Sequence, residues 1–309
     1  MIRVPLLFGL LCMLASHAIG QNAAPVERDE LHARVAQWMV QHDDVEMRAM
    51  GLAMLAGRET DALGGDRFIA EVERLLTQDP TAAAVYSIAH TCHERAMIEA
   101  CREAGVLEAI KRLDAGNAIA LGLFQEPDSQ AFKETIVSAT HVNDYWVERT
   151  AAWFEALQSA EVPEELAGQE LVAALSIAMA WSHPVLQPML ERCEAAGEAE
   201  NAGLDAACQR LASRLQESGP TLFWHSMGYA MARTRAEQNT DTELVSRLEQ
   251  QQQAMMDRAA CLARSDSAQE TLSGEADGQR RFLEVFRNAG EIAALEFAAG
   301  EAASNCPAA

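Results

Sequence analysis

The chain has 309 residues, of which 46 are acidic and 24 are Lys or Arg, so its formal net charge at pH 7 is −22. A surface of this sign repels the phosphates of nucleic acids and of anionic membranes, and we predict that the protein does not bind nucleic acid. Apolar residues make up 49% of the chain and prolines number only nine. This composition indicates a folded protein rich in helix and not an acidic disordered chain.

The first twenty residues have the layout of a cleavable export signal. Arg3 supplies a positive start, an apolar run follows from Val4 to Ala15, and Ala18-Ile19-Gly20 fits the small-x-small pattern of a cleavage site. The apolar run is shorter than the roughly twenty residues that span a bilayer, which disfavours the alternative of an uncleaved anchor. We therefore predict cleavage after Gly20 and a periplasmic or secreted protein with no membrane span after cleavage.

The remaining sequence alternates between apolar stripes with helical spacing and short breaks that contain Gly, Pro, Asn or Asp. No alternating run is long enough to predict a sheet. We predict an all-α fold of about fifteen helices, stacked as antiparallel hairpins in an α-solenoid. The hairpins would form one domain over residues 21–309, with a possible soft division near residues 140–162. The predicted helices cover residues 31–41, 45–55, 68–76, 81–89, 94–103, 106–113, 118–124, 128–139, 144–157, 163–182, 185–195, 204–215, 221–235, 242–264, 282–288 and 292–302.

Two stretches resemble the helical hairpins of tetratricopeptide (TPR) repeats. They are VERLLTQDPTAAAVYSIA at Val72–Ala89 and LDAGNAIALGL at Leu113–Leu123. Neither carries the fuller Trp, Gly, Tyr and Pro pattern of that family, and no fixed repeat period appears. As a whole, the chain resembles exported all-helical proteins of GC-rich Gram-negative bacteria, which carry no assigned catalytic residues. The resemblance implies a TPR-like superhelix that contacts other proteins.

Six of the seven cysteines follow the export signal, and an oxidising compartment would pair them. Their number alone leaves many pairings open. Cys193 extends an apolar stripe that includes Leu190, and Cys208 extends a stripe that includes Leu211. Because both stripes face the interface of one predicted helical hairpin, we predict the pair Cys193–Cys208.

The other two pairs depend on helix geometry and elimination. On one continuous helix Cys92 and Cys101 would lie roughly 13.5 Å apart, which is beyond the reach of a disulfide. Their pairing therefore requires a bend near Cys92-His93. The remaining pair is Cys261–Cys306, which would attach the carboxyl-terminal tail to a long helix.

A compact His-Thr-Cys-His segment has the residue types of a metal site. It contains His90, Cys92 and His93, but no second ligand pair with suitable spacing follows it. A cysteine in a disulfide does not bind a metal ion. We therefore predict disulfide-bonded Cys92 beside helix-end histidines, with no metal and no cofactor.

One predicted helix carries a candidate binding groove. Trp224 is adjacent to His225, and Tyr229 and Arg233 follow His225 at spacings of four. This stripe would present an aromatic ring and a cation to an acidic or peptide partner. The alternative is a helix whose polar edge is only partly exposed.

Catalytic signatures are lacking in the sequence, which contains no GxSxG, HExxH, phosphate-loop or dinucleotide motif. The leading hypothesis is an exported, non-catalytic scaffold that binds an unknown protein or peptide. One alternative is an enzyme whose site is assembled in a helical groove from scattered side chains such as His225 and Tyr229. The other is a binder of a cationic ligand or peptide.

Overall fold

The computed structural model describes residues 25–56, 65–127, 129–159, 170–179, 185–196, 202–219 and 221–308. Within these ranges the chain forms seventeen α-helices and one short 3-10 helix, with no strand beyond an isolated parallel bridge between Asn117 and His141. The all-α prediction is therefore confirmed. The predicted signal, the cleavage site after Gly20 and the predicted helix start at Pro163 lie outside the described residues.

The chain divides into two compact units. The N-terminal unit contains the described residues between 25 and 159 together with 185 and 186, and the C-terminal unit contains those of 170–179 and 187–308. Each unit has its own buried apolar core, which is the requirement for a compact unit of this size. The stacking of the hairpins into one superhelix stays a prediction.

In the N-terminal unit, α2 packs against both α1 and α4, and α4 also contacts α6. The amino ends of three of its helices begin at Thr81, Asn117 and Ser129, whose side chains accept a hydrogen bond from a backbone amide of the first turn. Asp128, the first residue of the helix predicted over residues 128–139, lies outside the described residues. The helices that the described residues of this unit form are α1 Pro25–Val40, α2 Val45–Ala56, α3 Gly65–Leu76, α4 Ala82–Glu94, α5 Ile98–Glu103, α6 Val106–Asp114, α7 Ala118–Gly122, α8 Gln130–Ser138 and α9 Trp146–Ser159.

The bend that the first disulfide requires lies a few residues later than predicted. Helix α4 continues through Cys92 to Glu94, and the chain turns at Ala96, which has a φ of 54°. The amide of Met97 then donates to the carbonyl of Cys92 over 2.8 Å. The reversal brings Cys101 back beside Cys92, so the predicted helix over residues 94–103 is shortened to α5.

In the C-terminal unit, α13 packs between α12 and α14, and α17 contacts α14, α15 and α16. Helix α15 was not predicted because only Ala268 and Leu272 of its residues are buried, too few for a recognisable stripe. The helices are α10 Glu170–Met179, α11 Leu186–Ala195, α12 Ala202–Ser218, α13 Leu222–Gln238, α14 Thr242–Ala263, α15 Asp266–Ser273, α16 Ala276–Ala289 and α17 Glu291–Ala299, followed by the 3-10 helix Gly300–Asn305. Of these, α11 begins in the N-terminal unit at Leu186.

Helices α12 and α13 approach each other most closely at Gly228. A Cβ atom at this position would lie 2.7 Å from the amide nitrogen of Gln216 and 2.8 Å from the carbonyl oxygen of Ala212. Both atoms belong to the backbone of α12 and cannot move aside without separating the helices. Glycine at 228 therefore sets the spacing of this helix pair.

Replacing Gly228 by alanine is expected to lower the free energy of unfolding by about 2 kcal/mol, because the added methyl group forces the helices apart. The matched control is Gly278→Ala in α16, where an added Cβ has open space. That substitution is expected to stabilise by roughly 0.5–1 kcal/mol through helix propensity. Urea unfolding measures the free energy of unfolding of both variants. Equal effects of the two substitutions would contradict the close approach of the helices at Gly228.

Candidate functional site

Helices α11, α12 and α13 and the start of α14 enclose a cleft in the C-terminal unit. Its volume is ≈ 270 Å³, slightly below the roughly 300–1,000 Å³ typical of pockets for small molecules. A single long side chain fits such a space better than a cofactor does. Its apolar lining includes Leu190, Ala212, Met231, Ala236 and Leu244.

The cleft follows from the local sequence of the surrounding helices. The disulfide Cys193–Cys208 joins α11 to α12 and forms part of the wall. At the end of α13 the chain turns through Thr240, which has a φ of 57°. Asp241 then caps α14, its Oδ1 accepting from the amide of Leu244 over 3.0 Å. The turn places Asp241 at the cleft beside α13.

The charges in the cleft are predominantly negative. Its lining includes three carboxylates, those of Glu194, Asp205 and Asp241, and one described guanidinium, that of Arg235. Arg235 Nη2 lies 2.8 Å from Asp205 Oδ2, so this pair is already neutralised. The side chains of Glu194, which is half-buried, and Asp241, which is exposed, remain as negative charges at the cleft. The cleft therefore attracts a cation.

A hydrogen-bond chain ties the walls of the cleft together. Arg235 Nη1 donates to Gln238 Oε1 over 3.1 Å, and Gln238 Nε2 donates to the carbonyl of Glu194 over 2.8 Å. Because Arg235 and Gln238 belong to α13 and Glu194 to α11, these exposed hydrogen bonds link α11 to α13. The cleft is thus shaped by polar contacts as well as by the disulfide.

The groove predicted from the sequence is on the same helix α13 but does not form as predicted. Trp224 is fully buried, with 0% of its surface exposed, so it belongs to the core and is no groove wall. His225 Nδ1 lies 2.9 Å from the carbonyl oxygen of Gln216, and burial lowers the pKa of His225 below its usual value despite this backbone hydrogen bond. His225 is therefore largely neutral at pH 7.

The other two groove residues are half-buried. Arg233 lies within 4 Å of two carboxylates, at 3.7 Å from Glu237 and 3.9 Å from Glu249. Among the described residues that line the cleft, neither Tyr229 nor Arg233 occurs. The sequence thus identified the helix but not the face, because the face that meets the cleft carries Met231 and Arg235, which show no distinctive motif.

Six cysteines lie among the described residues, and they form the three disulfides that the sequence predicts. Their Cα–Cα distances are 6.2, 5.5 and 5.7 Å, all within the range that a disulfide allows. Cys92 and Cys101 are fully buried. The pairs are Cys92–Cys101, Cys193–Cys208 and Cys261–Cys306.

The His-Thr-Cys-His segment is accounted for by contacts within the protein. The sulfur of Cys92 is bonded to Cys101, and His93 Nδ1 lies 3.3 Å from the carbonyl oxygen of Leu123. His90 is buried, 4.0 Å from Glu94. In the part of the chain that the structure describes, no three His, Cys, Asp or Glu side chains are grouped so that they could hold a metal ion.

A second polar cluster lies in the N-terminal unit, where two loops meet around Asp114. His141 Nε2 lies 2.8 Å from Asp114 Oδ1, and Asp114 Oδ2 accepts hydrogen bonds from the Tyr145 hydroxyl and from Asn117 Nδ2. Burial opposes ionisation of Asp114, but the hydrogen bonds from His141, Tyr145 and Asn117 outweigh it and lower the pKa of this carboxyl below its usual value. Asp114 is therefore an anion that anchors both loops.

The Asp114 cluster contains the groups of a hydroxyl–histidine–aspartate relay. Thr140 Oγ1 lies 3.0 Å from His141 Nδ1. However, the backbone amides of Thr140 and His141 both donate to the carbonyl of Gly116, over 2.9 and 3.2 Å. These donors are therefore not available to stabilise an oxyanion, which acyl transfer requires. The contacts favour a structural role, in which the cluster holds the two loops together.

A buried ion pair lies in the core of the N-terminal unit. Arg149 Nη2 is 3.6 Å from Asp144 Oδ2, and both side chains are nearly inaccessible to solvent. The guanidinium of Arg149 lies over the ring of Tyr86, 5.8 Å from its centroid. Burial raises the pKa of Tyr86 above its usual value. Because almost no solvent reaches these groups, they form part of the packed core of this unit.

No family model, curated protein or solved structure matches this chain. None of the helices in the described ranges combines the length and the apolar character needed to cross a membrane.

Proposed function

We propose that this protein is an exported, non-catalytic binding protein that holds a basic segment of another protein in the cleft of its C-terminal unit. The observation that carries the proposal is the cleft itself, which combines an apolar lining with an excess of carboxylates. The TPR-like resemblance, which implies contacts with other proteins, agrees with this proposal.

The size and chemistry of the cleft favour a lysine or arginine side chain as the bound group. The alkyl stem of such a residue packs on apolar surface while its charged end stays with polar partners. In the cleft, Leu190 and Met231 offer the apolar surface, and Glu194 and Asp241 offer the carboxylates. The net charge of −22 adds a long-range attraction that speeds the encounter with a basic partner.

The three disulfides support the exported location. Such bonds persist in the periplasm and outside the cell and are rare in the cytosol, where thiols are kept reduced. The predicted signal peptide would deliver the chain to such a compartment. Cleavage after Gly20 is tested directly by mass spectrometry of the protein recovered from the periplasm or the medium.

Peptide binding tests the function. A fluorescent peptide rich in lysine and arginine is titrated with the purified, oxidised protein, and a peptide of equal length rich in glutamate is the reference. We expect saturable binding of the basic peptide that weakens as salt is raised, and no binding of the acidic one. Equal binding of both peptides, or of neither, would contradict the proposal.

Charge removal in the cleft locates the binding site. The double variant Glu194→Gln with Asp241→Asn is expected to weaken binding of the basic peptide by about tenfold, and asparagine at 241 retains the cap of α14. The matched control is Glu270→Gln with Glu284→Gln, which removes the same charge from exposed positions on α15 and α16. If both double variants weaken binding equally, the attraction is a property of the whole surface and the cleft is not the site.

A further inference from the structure

We propose that the disulfide Cys193–Cys208 controls the cleft, so that the basic segment is held while this bond is oxidised and released when a dithiol reduces it. This inference rests on the proposed function, because it concerns regulation of the same site. Both cysteines belong to the lining of the cleft. By contrast, Cys92 and Cys101 are fully buried, and Cys261–Cys306 joins α14 to the carboxyl-terminal tail away from the cleft lining.

Helix α11 is the wall of the cleft that depends on this bond. The disulfide closes a loop of 15 residues and attaches α11 to α12. The further attachments of α11 include burial of Met189 and Leu190 and the exposed hydrogen bond from Gln238 to the carbonyl of Glu194. Reduction removes the covalent attachment and leaves the non-covalent ones.

Loosening of α11 removes two binding features of the cleft together. Leu190 contributes apolar surface and Glu194 contributes a carboxylate, and both are residues of α11. A bound side chain whose alkyl stem packs on Leu190 and whose cation pairs with Glu194 loses both contacts when α11 moves. The oxidised state therefore binds and the reduced state releases.

The exchange reaction starts at the more accessible sulfur. Cys208 is 6% exposed, whereas Cys193 is only partly buried. A thiolate of the dithiol attacks Sγ of Cys193, the S–S bond breaks, and the sulfur of Cys208 leaves as a thiolate that takes up a proton. The second thiol of the reductant then attacks the mixed disulfide, which releases the Cys193 thiol and leaves the reductant as a cyclic disulfide. The two electrons that reduce the protein bond come from the dithiol.

The charge of the cleft selects among reductants. The carboxylates of Glu194 and Asp205 repel an anionic thiol and disfavour the thiolate that forms at Cys208. A neutral dithiol is therefore expected to reduce this bond faster than glutathione at equal thiolate concentration. Raised salt is expected to narrow the difference, because it screens the repulsion.

The test measures peptide binding and the mobility of α11 in the same protein. Affinity for the lysine- and arginine-rich peptide is determined before and after treatment with dithiothreitol, for the wild-type chain and for the variant Cys261→Ser with Cys306→Ser. We expect reduction to weaken peptide binding by about tenfold in both proteins, because the variant Cys261→Ser with Cys306→Ser keeps the cleft disulfide. The variant Cys193→Ser with Cys208→Ser is expected to bind weakly without any reductant.

Amide hydrogen exchange distinguishes loosening of α11 from a general loss of stability. Reduction is expected to speed amide exchange in α11 while exchange in α16 of the same molecule stays unchanged. Equal acceleration in both helices, or none in α11, overturns the redox proposal. If the oxidised wild-type protein does not bind the peptide, the proposed function fails, and the exchange rates in α11 still decide whether the bond controls the cleft.

Discussion

Replacing Asp114 by asparagine is expected to lower the free energy of unfolding by about 3 kcal/mol at neutral pH, since hydrogen bonds to a charged group contribute roughly 1.5–3 kcal/mol each. Asp114 accepts from Tyr145 and Asn117 and lies 2.8 Å from His141. An asparagine amide offers one oxygen and two N–H donors, so at least one of these neighbours faces a donor. The substitution leaves the size of the side chain nearly unchanged, so the loss of stability reports on the charge and on the hydrogen bonds that it accepts.

The pH dependence of this effect has a definite sign. The pKa of Asp114 is lowered in the folded protein from 3.8 in the unfolded chain. Its contribution to stability is therefore complete above the unfolded pKa and is lost as the pH falls through the folded pKa. Urea unfolding should show a large difference in the free energy of unfolding between wild type and Asp114→Asn at pH 7. At about pH 3 this difference should be smaller.

The control for Asp114 lies on the same helix. Glu108 of α6 forms an exposed ion pair with Lys111 at 2.8 Å. Because exposed pairs contribute at most about 1 kcal/mol, Glu108→Gln should change the free energy of unfolding only slightly. A loss in Asp114→Asn no larger than in Glu108→Gln would show that the cluster does not hold the two loops.

Local patterns predict the helices and the disulfides well, for a physical reason. A helix repeats its contacts every three to four residues, so apolar stripes reveal which face is buried. Cys193 and Cys208 extend such stripes on neighbouring helices, and the structure pairs them with a Cα–Cα distance of 5.5 Å. The first disulfide was constrained by helix length, which required the reversal that occurs at Ala96.

The candidate sites were less accessible to sequence reasoning because their residues come from distant segments. Asp114 is the last residue of α6 and His141 lies on the loop between α8 and α9, and the parallel bridge between Asn117 and His141 brings the two segments together. Trp224 is adjacent to His225 in the sequence, yet its side chain points into the core. The spacing of residues on one helix fixes which of them share a face, but only the neighbouring helices decide whether that face is buried.

Glu291 illustrates the same limit. It is the first residue of α17, a position where acidic residues are common and usually solvated. In the structure its side chain is 4% exposed and reaches the start of α13, where Oε2 accepts from the amide of Leu222 over 2.7 Å. The partner lies 69 residues away in the sequence. Burial raises the pKa of Glu291 from 4.5 to about 7, although the hydrogen bond from Leu222 acts in the opposite direction.

This raised pKa makes the protein less stable as the pH rises. Below pH 4.5 Glu291 is protonated in both the folded and the unfolded chain, and its contribution to stability is complete. Between pH 4.5 and about 7 the unfolded chain ionises while the folded protein retains the proton, so stability is lost over this interval. This shift of the Glu291 pKa corresponds to a loss of about 3 kcal/mol in the free energy of unfolding. Above pH 7 both states are ionised and the loss is constant.

Replacing Glu291 by glutamine is expected to remove this dependence. Glutamine keeps an oxygen for the amide of Leu222 but cannot ionise. Between about pH 4 and pH 8 the free energy of unfolding of the variant should therefore rise by about 3 kcal/mol relative to that of the wild type. Urea unfolding at about pH 4, 6 and 8 gives the free energy of unfolding of both proteins and shows how their difference changes with pH. Glu284→Gln on α16, an exposed position, is the control and should leave the wild-type profile unchanged. Parallel profiles for wild type and Glu291→Gln would show that Glu291 does not titrate in this interval.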